Sequence, residues 1–303
     1  MKRLVKLAIK IGISLLLLAG LARYIDLEAV LERLKNVNFL WVVLASFFLM
    51  VGQVLSAIRW TWLARGLGLV VQMSRKIELY FLGMFLSLFL PSIIGGDVAR
   101  GYLLARGREG AGWAAAASVI LERVNGVVAI SIIATVCMLG LDLPPQWWIA
   151  WMGAVFVLWA GMLTYSFWHR RLPRWMKRWQ SLPIDQPVFY HAWWKGLLLS
   201  VLFQTLVVEI HVILGHAAGL EISWLAYGVM VCLVALASAI PVSFNGFGVR
   251  EAGYVGLATY FGGSAEAAAV MAALWVVVLA VAALPGAWVL WRLGGSSAIR
   301  REI

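Results

Sequence analysis

The sequence predicts an all-α polytopic integral membrane protein, and three observations predict it. Apolar residues make up 63% of its 303 positions and charged residues 13%, with a mean hydropathy of +0.90, more apolar surface than a soluble core can hide. Six apolar runs reach the roughly 20 residues needed to cross a hydrocarbon layer about 30 Å thick. Two more apolar runs stop at a proline with glycines close behind, the pattern of a helix broken at membrane depth. The expected architecture is about six full transmembrane helices plus two re-entrant broken-helix hairpins.

The six runs are Leu7 to Tyr24, Leu40 to Leu63, Trp113 to Leu139, Trp147 to Trp168, Gly196 to Ala218 and Ala267 to Trp291. Basic residues precede the first, as in a signal peptide. No small-x-small cleavage site follows it, and the charged amphipathic stretch DLEAVLERLKNVN comes next. It therefore reads as an anchor helix with an interfacial helix behind it. The first broken run, Ile77 to Ile94, ends at Pro91, Gly95 and Gly96, and a short segment from Val98 to Leu104 follows. The second, Trp224 to Phe244, ends at Pro241 within PVSFNGFGVREAGY, followed by Phe247 to Phe261. Each second segment is short or polar for a full crossing, so each pair is expected to turn back. Trp147, Trp148, Trp193 and Trp194 sit at run ends and read as interface anchors. Cys137 and Cys232 lie inside apolar runs as small buried hydrophobes, with no disulfide or metal framework around them and no cofactor implied.

The net charge of +11 points to anionic membrane lipids and not to nucleic acid, because basic residues of membrane proteins gather in cytoplasmic loops. If both hairpins return to the side they entered, most of the 25 basic residues fall on one side. Among them are Arg59, Arg65, Arg75, Lys76, Arg100, Arg106 and Arg108 and the linker cations between His169 and Lys195. Both termini are then cytoplasmic, in a bacterial inner membrane, and the two hairpins enter from opposite sides. Arg123 and Arg250 fall at membrane depth.

The spacing of Pro91, Gly96 and Arg100 recurs in Pro241, Gly246 and Arg250. With the opposed hairpins, this suggests an inverted repeat of the kind in which paired broken helices build a substrate site near the midplane. The expected layout is one membrane domain, 1–303, with repeat one at about 40–140, a basic cytoplasmic linker at 169–195 and repeat two at about 196–292. Each break starts a half-helix whose free amides favour anions, and Arg100 and Arg250 offer planar forks suited to phosphate. The candidate substrate-binding set is Pro91, Gly95, Gly96, Asp97, Arg100, Glu122, Arg123, Pro241, Asn245, Gly246, Gly248, Arg250 and Glu251. Two alternatives stay open: Asp97 caps its half-helix and neutralises Arg100, and Glu122 is a structural partner of Arg100, Arg123 or Arg250. Charge inside an apolar span faces a cavity or a partner, and Glu209 with His211 form a candidate proton relay.

There is no Gly-x4-Gly-Lys-Ser/Thr loop, no dinucleotide fingerprint, no His-Glu-x-x-His and no Gly-x-Ser-x-Gly. No soluble catalytic domain is expected.

LPSIIGGDVARGYLL, SVILERVNG and IPVSFNGFGVREAGY, with Arg59 and Trp60 ahead of them, together resemble the transmembrane domain of the lysylphosphatidylglycerol synthase family, also called the flippase-like or UPF0104 family. The resemblance covers about residues 5 to 295. It implies a membrane domain that moves aminoacylated phosphatidylglycerol between leaflets, while a separate soluble domain, expected to be lacking here, makes that lipid from aminoacyl-tRNA. Other members lie beside lipid-linked sugar or hopanoid pathways, so the substrate stays open among anionic phospholipids and lipid phosphates. A lipid-modifying synthase or glycosyltransferase is a possible partner. The competing expectation is a membrane enzyme or accessory subunit acting on polyprenyl-phosphate sugars or aminoacyl-phosphatidylglycerol, with Asp97, Glu122 or Glu251 as base. One departure is Asn245, where the family more often has glycine; asparagine tolerates a positive φ.

Overall fold

A computed structural model describes residues 2–70, 72–90, 94–164, 179 and 181–293, with the side chains of residues 2–4, 6 and 94 excepted. Pro91 and most of the basic linker lie outside the described residues. Among the described residues there are eleven helices and no strand.

The chain opens with α1 (Lys2–Tyr24) and the short α2 (Leu27–Asn36). The first four-helix unit is α3 (Phe39–Gly66), α4 (Met73–Phe89), α5 (Ile94–Ala105) and α6 (Gly112–Leu139). α7 (Pro145–Leu163) stands between the units. The second unit is α8 (Pro187–Ala218), α9 (Trp224–Ala239), α10 (Val249–Tyr260) and α11 (Ala265–Arg292). Local chemistry sets these boundaries. Asp26 accepts from the amides of Glu28 and Ala29 to start α2, and Ser223 and Ser264 accept from Ala226 and Ala267 to start α9 and α11. Prolines open α7 and α8, where no intrahelical N–H is needed. Gly219 closes α8 in the left-handed conformation.

Six helices are long and apolar enough to cross a membrane: residues 7–24 of α1, then α3, α6, α7, α8 and α11. Each coincides with an expected run. With 12 residues each, α5 and α10 reach only about 18 Å at 1.5 Å per residue, roughly half a bilayer. Each turns back from its predecessor, α4 or α9, and packs along it, as expected of the two hairpins.

Long, short, short, long is the order of helix lengths in both units. Their packing repeats as well. α4 packs on α11 and α9 on α6; α5 packs on α6 and α10 on α11; α3 packs on α6 and α8 on α11. Exchanging α3 with α8, α4 with α9, α5 with α10 and α6 with α11 leaves this set of packings unchanged, together with α3 on α8 itself. The α3–α8 seam fixes the direction. A Cβ on Gly66 would meet Phe189 and Ala192, one on Gly196 would meet Arg59 and Leu63, and one on Gly52 would meet Phe203 and Leu206. One helix descends as the other rises, so they run antiparallel and the two units are inverted copies.

Small residues bring these helices close, as in lipid, where packing must replace the hydrophobic drive. A Cβ at Gly96 would collide with the Gly83 carbonyl and Ser87 Oγ, and one at Gly286 with the Phe81 carbonyl. The same device joins α6 to α9, where Gly228 faces Cys137 and Gly140 faces Leu225.

Candidate functional site

Ionisable side chains from all four helices of the first unit converge on Glu122. Its Oε1 lies 2.6 Å from Arg59 Nη2 of α3 and accepts from the Tyr80 hydroxyl of α4 at 2.9 Å. Its Oε2 meets Arg100 Nη2 of α5 at 2.6 Å. Arg100 also donates through Nε to Asp97 Oδ1 at 3.1 Å, and Asp97 Oδ2 receives Arg123 at 2.7 Å. The chain of charge runs Arg59, Glu122, Arg100, Asp97, Arg123. Glu122 is 1% exposed and Arg100 3%, while the Arg123 side chain is 56% exposed. A buried interior thus opens at the α5–α6 face.

Helical geometry explains why these residues meet. Asp97 and Arg100 are three apart on one face of α5, and α5 and α6 run antiparallel, pairing 97 with 123 and 100 with 122. The Arg100 guanidinium lies 4.5 Å from the Tyr80 ring centroid and 4.9 Å from that of Trp60, which aromatic faces favour. Trp60 is fixed in turn by Ser118, which accepts from its indole N–H at 3.0 Å. Arg59 reaches the other unit: its Nη1 donates to Ser200 Oγ of α8 at 2.8 Å, Ser200 donates to Asn125 Oδ1 at 2.5 Å, and Asn125 donates to the Trp193 carbonyl. The cluster therefore sits on the seam between the inverted units.

The charges do not cancel. Three guanidiniums share two carboxylates, and Arg59 Nε and Arg100 Nη1 are buried without a hydrogen-bond partner among the described residues. Buried polar atoms are ordinarily satisfied; Glu122 Oε2, ion-paired with Arg100, likewise makes no hydrogen bond among the described residues.

The second unit is arranged differently. Arg250 pairs with its neighbour Glu251 at 2.8 Å, and Glu251 Oε2 accepts from the Gly248 amide at 2.6 Å, capping α10. The N-terminal turn of α10 is thus occupied by its own carboxylate, and no hydrogen bond or ion pair joins Arg250 to Arg100 among the described residues. Gly246 and Gly248 take φ of 77° and 84°, and Asn245 a φ of 50°, so asparagine does hold the expected positive φ. The helix starts also correct the register. Gly96 lies within α5, tight against Gly83, whereas Gly246 lies in the turn before α10. Arg100 is nearly two turns into its half-helix and Arg250 is the second residue of its own. The matching glycines and arginines are not structural equivalents; Gly95 packs on Leu90 and Pro241 is exposed.

The two breaks nevertheless meet. Asn245 Nδ2 donates to the Ser87 carbonyl near the end of α4 at 3.1 Å. On the other side of the same turn, Ser14 Oγ of α1 accepts from the Phe244 amide at 2.9 Å, and α1 lies so close to Gly248 that a Cβ there would meet Leu17 and the Ser14 carbonyl.

Glu209 and His211 are not brought together. Glu209 accepts from the Trp224 indole at 2.7 Å. His211 is buried, with Nδ1 on the Val207 carbonyl at 2.8 Å and Nε2 on the Tyr254 hydroxyl at 2.7 Å, and its ring lies 4.4 Å from that of Trp275. A neutral imidazole that donates through Nδ1 to the carbonyl can accept from the Tyr254 hydroxyl through Nε2, which satisfies both contacts. Arg59 and Lys76, assigned by sequence to the cytoplasmic loops, are buried among the helices instead, and Trp193 is a core residue and not an interface anchor. Arg59 and Tyr80 were missed as site members. An arginine inside the apolar stretch SAIRWTWLA was the available signal.

Similarity agrees with this architecture. Residues 7–291 match the lysylphosphatidylglycerol synthase TM region. A UPF0104 membrane protein, MJ1595 of Methanocaldococcus jannaschii, is 29% identical over 123 residues, 40% of this chain. That match covers 37% of the relative's length. With the match extending over nearly all of the inverted repeat, the chain belongs to the lysylphosphatidylglycerol synthase TM region family.

Proposed function

We propose that this protein moves a lipid with an anionic, phosphate-bearing headgroup between the leaflets of a bacterial inner membrane. The observation that carries the reading is the buried cluster of Arg59, Arg100 and Arg123 around Asp97 and Glu122, with one cation in excess and unpaired guanidinium donors on a seam between inverted units. Inverted repeats with broken helices support alternating access by rocking one unit against the other. Arg123, exposed about 16 Å from the start of α6 and paired on one side with Asp97, gives the headgroup a charged contact at mid-depth, where charge facing lipid is costly. The α3 C-terminus and α6 N-terminus are taken as cytoplasmic because Arg65, Arg75, Arg106 and Arg108 surround them, which puts both termini on that side. A synthase or glycosyltransferase that makes the lipid is the expected partner.

The test is leaflet exchange of fluorescent phosphatidylglycerol in proteoliposomes. Wild-type protein should accelerate exchange and a folded Arg100→Gln variant should not. Equal rates in protein-free vesicles, or full exchange by Arg100→Gln, would overturn the reading.

A further inference from the structure

Lys76 is 0% exposed, and its Nζ has no hydrogen-bond partner among the described residues. It lies on the same face of α4 as Tyr80, Gly83 and Ser87, at the i, i+4, i+7, i+11 spacing of one helical stripe. Tyr80 donates to Glu122, Gly83 touches α5 at Gly96, and Ser87 receives Asn245 from the second hairpin. This stripe runs about 16 Å, from the first turn of α4 to the meeting of the two breaks, and Lys76 is its outer end. The ammonium lies 5.4 Å from the Trp60 ring that Arg100 also approaches, at 4.9 Å. Exposed Arg65 and Arg108 act on it electrostatically from the surface side, and Glu122 from the interior.

A lysine buried without a counter-ion is costly. No ion pair joins it to a carboxylate; Glu122 pairs with Arg59 and Arg100, and its Oε2 makes no hydrogen bond among the described residues. The unused donors around Trp60 are the three of the ammonium and those of Arg100 Nη1. Several donors on two cations suit a tetrahedral oxyanion with several acceptor oxygens. We propose that Lys76 and Arg100 form an anion site for a phosphate group, placed between the surface arginines Arg65 and Arg108 and the Glu122 cluster. This deepens the translocase reading by naming an entry subsite, and it rests on that reading only for the lipid as the source of the phosphate. Free inorganic phosphate has the same chemistry.

The experiment is thermal unfolding of the full chain, stripped of lipid, in a neutral detergent. The additions are phosphatidylglycerol, diacylglycerol, which lacks the phosphate, sodium phosphate, and sodium chloride at matched ionic strength. A ligand that binds only the folded state raises Tm with its concentration until the site fills. The expected result is a rise with phosphatidylglycerol and none with diacylglycerol or chloride, lost in Lys76→Met and kept in Lys76→Arg. The same pattern with sodium phosphate supports the site and assigns free phosphate as its occupant. An equal rise in Lys76→Met, a rise with chloride, or no rise with either phosphate source overturns the proposal. Without added anion, Lys76→Met should be at least as stable as wild type, because it removes an uncompensated buried charge; a lower Tm would show a structural lysine and also overturn it. These readings are independent of leaflet exchange. A protein that binds phosphate through Lys76 but does not accelerate exchange loses the translocase reading and keeps the site.

Discussion

The Glu122 cluster and the His211 cluster occupy corresponding places in the two inverted units and are built from opposite chemistry. Arg59 and His211 are each eighth from the C-terminal end of their helices, and Glu122 and Trp275 are each eleventh from the start of theirs. Arg100 and Tyr254 sit at the seventh and sixth positions of the two half-helices. In the first unit this junction holds arginines and a carboxylate. In the second it holds a neutral imidazole, a phenol and an indole joined by one hydrogen bond and ring contacts. The second unit shows that the scaffold closes at this junction without charge. Buried ion pairs are poor evidence for stability, since their desolvation offsets much of their attraction. The contrast supports the proposed role of the first unit's arginines and carboxylates in meeting a headgroup.

Substitution across the two junctions sharpens that contrast. Glu122→Gln removes the carboxylate shared by Arg59 and Arg100, and uncompensated buried guanidiniums should cost about 3–5 kcal/mol, read as a large fall in Tm and in folded yield. A loss no greater than that of a surface substitution would mean the junction is wet and screened. Next in size, Gly96→Ala forces a methyl into the Gly83 carbonyl and Ser87 hydroxyl, costing about 1–3 kcal/mol through backbone displacement. Gly126→Ala, with open space at its Cβ, should leave Tm unchanged and serves as the reference. His211→Phe keeps the rings packed but strands the Tyr254 hydroxyl, a loss of about 1–2 kcal/mol with leaflet exchange intact; abolished exchange would restore a proton role to the histidine. The smallest effect on stability is expected from Arg123→Gln, under about 1 kcal/mol because the Arg123 side chain is more than half exposed and buried Asp97 keeps Arg100, yet this variant should slow leaflet exchange. Exchange at the wild-type rate would remove Arg123 from the lipid's path.

Hydrophobic run length made all six spans legible, and Pro91, Pro241 and the nearby glycines located both breaks to within a few residues. The inversion was legible too, through charge asymmetry. The alignment of the halves was not. Pro91, Gly96 and Arg100 match Pro241, Gly246 and Arg250 in spacing, but a packed helix terminus can start several residues earlier or later without changing such a pattern. Arg59 and Lys76 were counted with the cytoplasmic cations because both lie near the ends of their apolar runs, where charge asymmetry places them outside the membrane. Burial depends on partners distant in sequence, such as Ser200 for Arg59 and Trp60 for Lys76. Glu122 and Arg100 were legible as a candidate pair because both interrupt apolar surroundings; that Arg250 instead turns to its neighbour Glu251 depends on the cap of α10.

The hydrogen bond between Ser14 and Phe244 joins positions separated by 230 residues. α1 precedes the second hairpin in the chain, and the candidate span within it is only 6% buried in protein, so little besides that hairpin packs on it. Its polar anchor arrives only when the second hairpin is inserted. An early helix therefore waits on a late turn, and each holds the other in place.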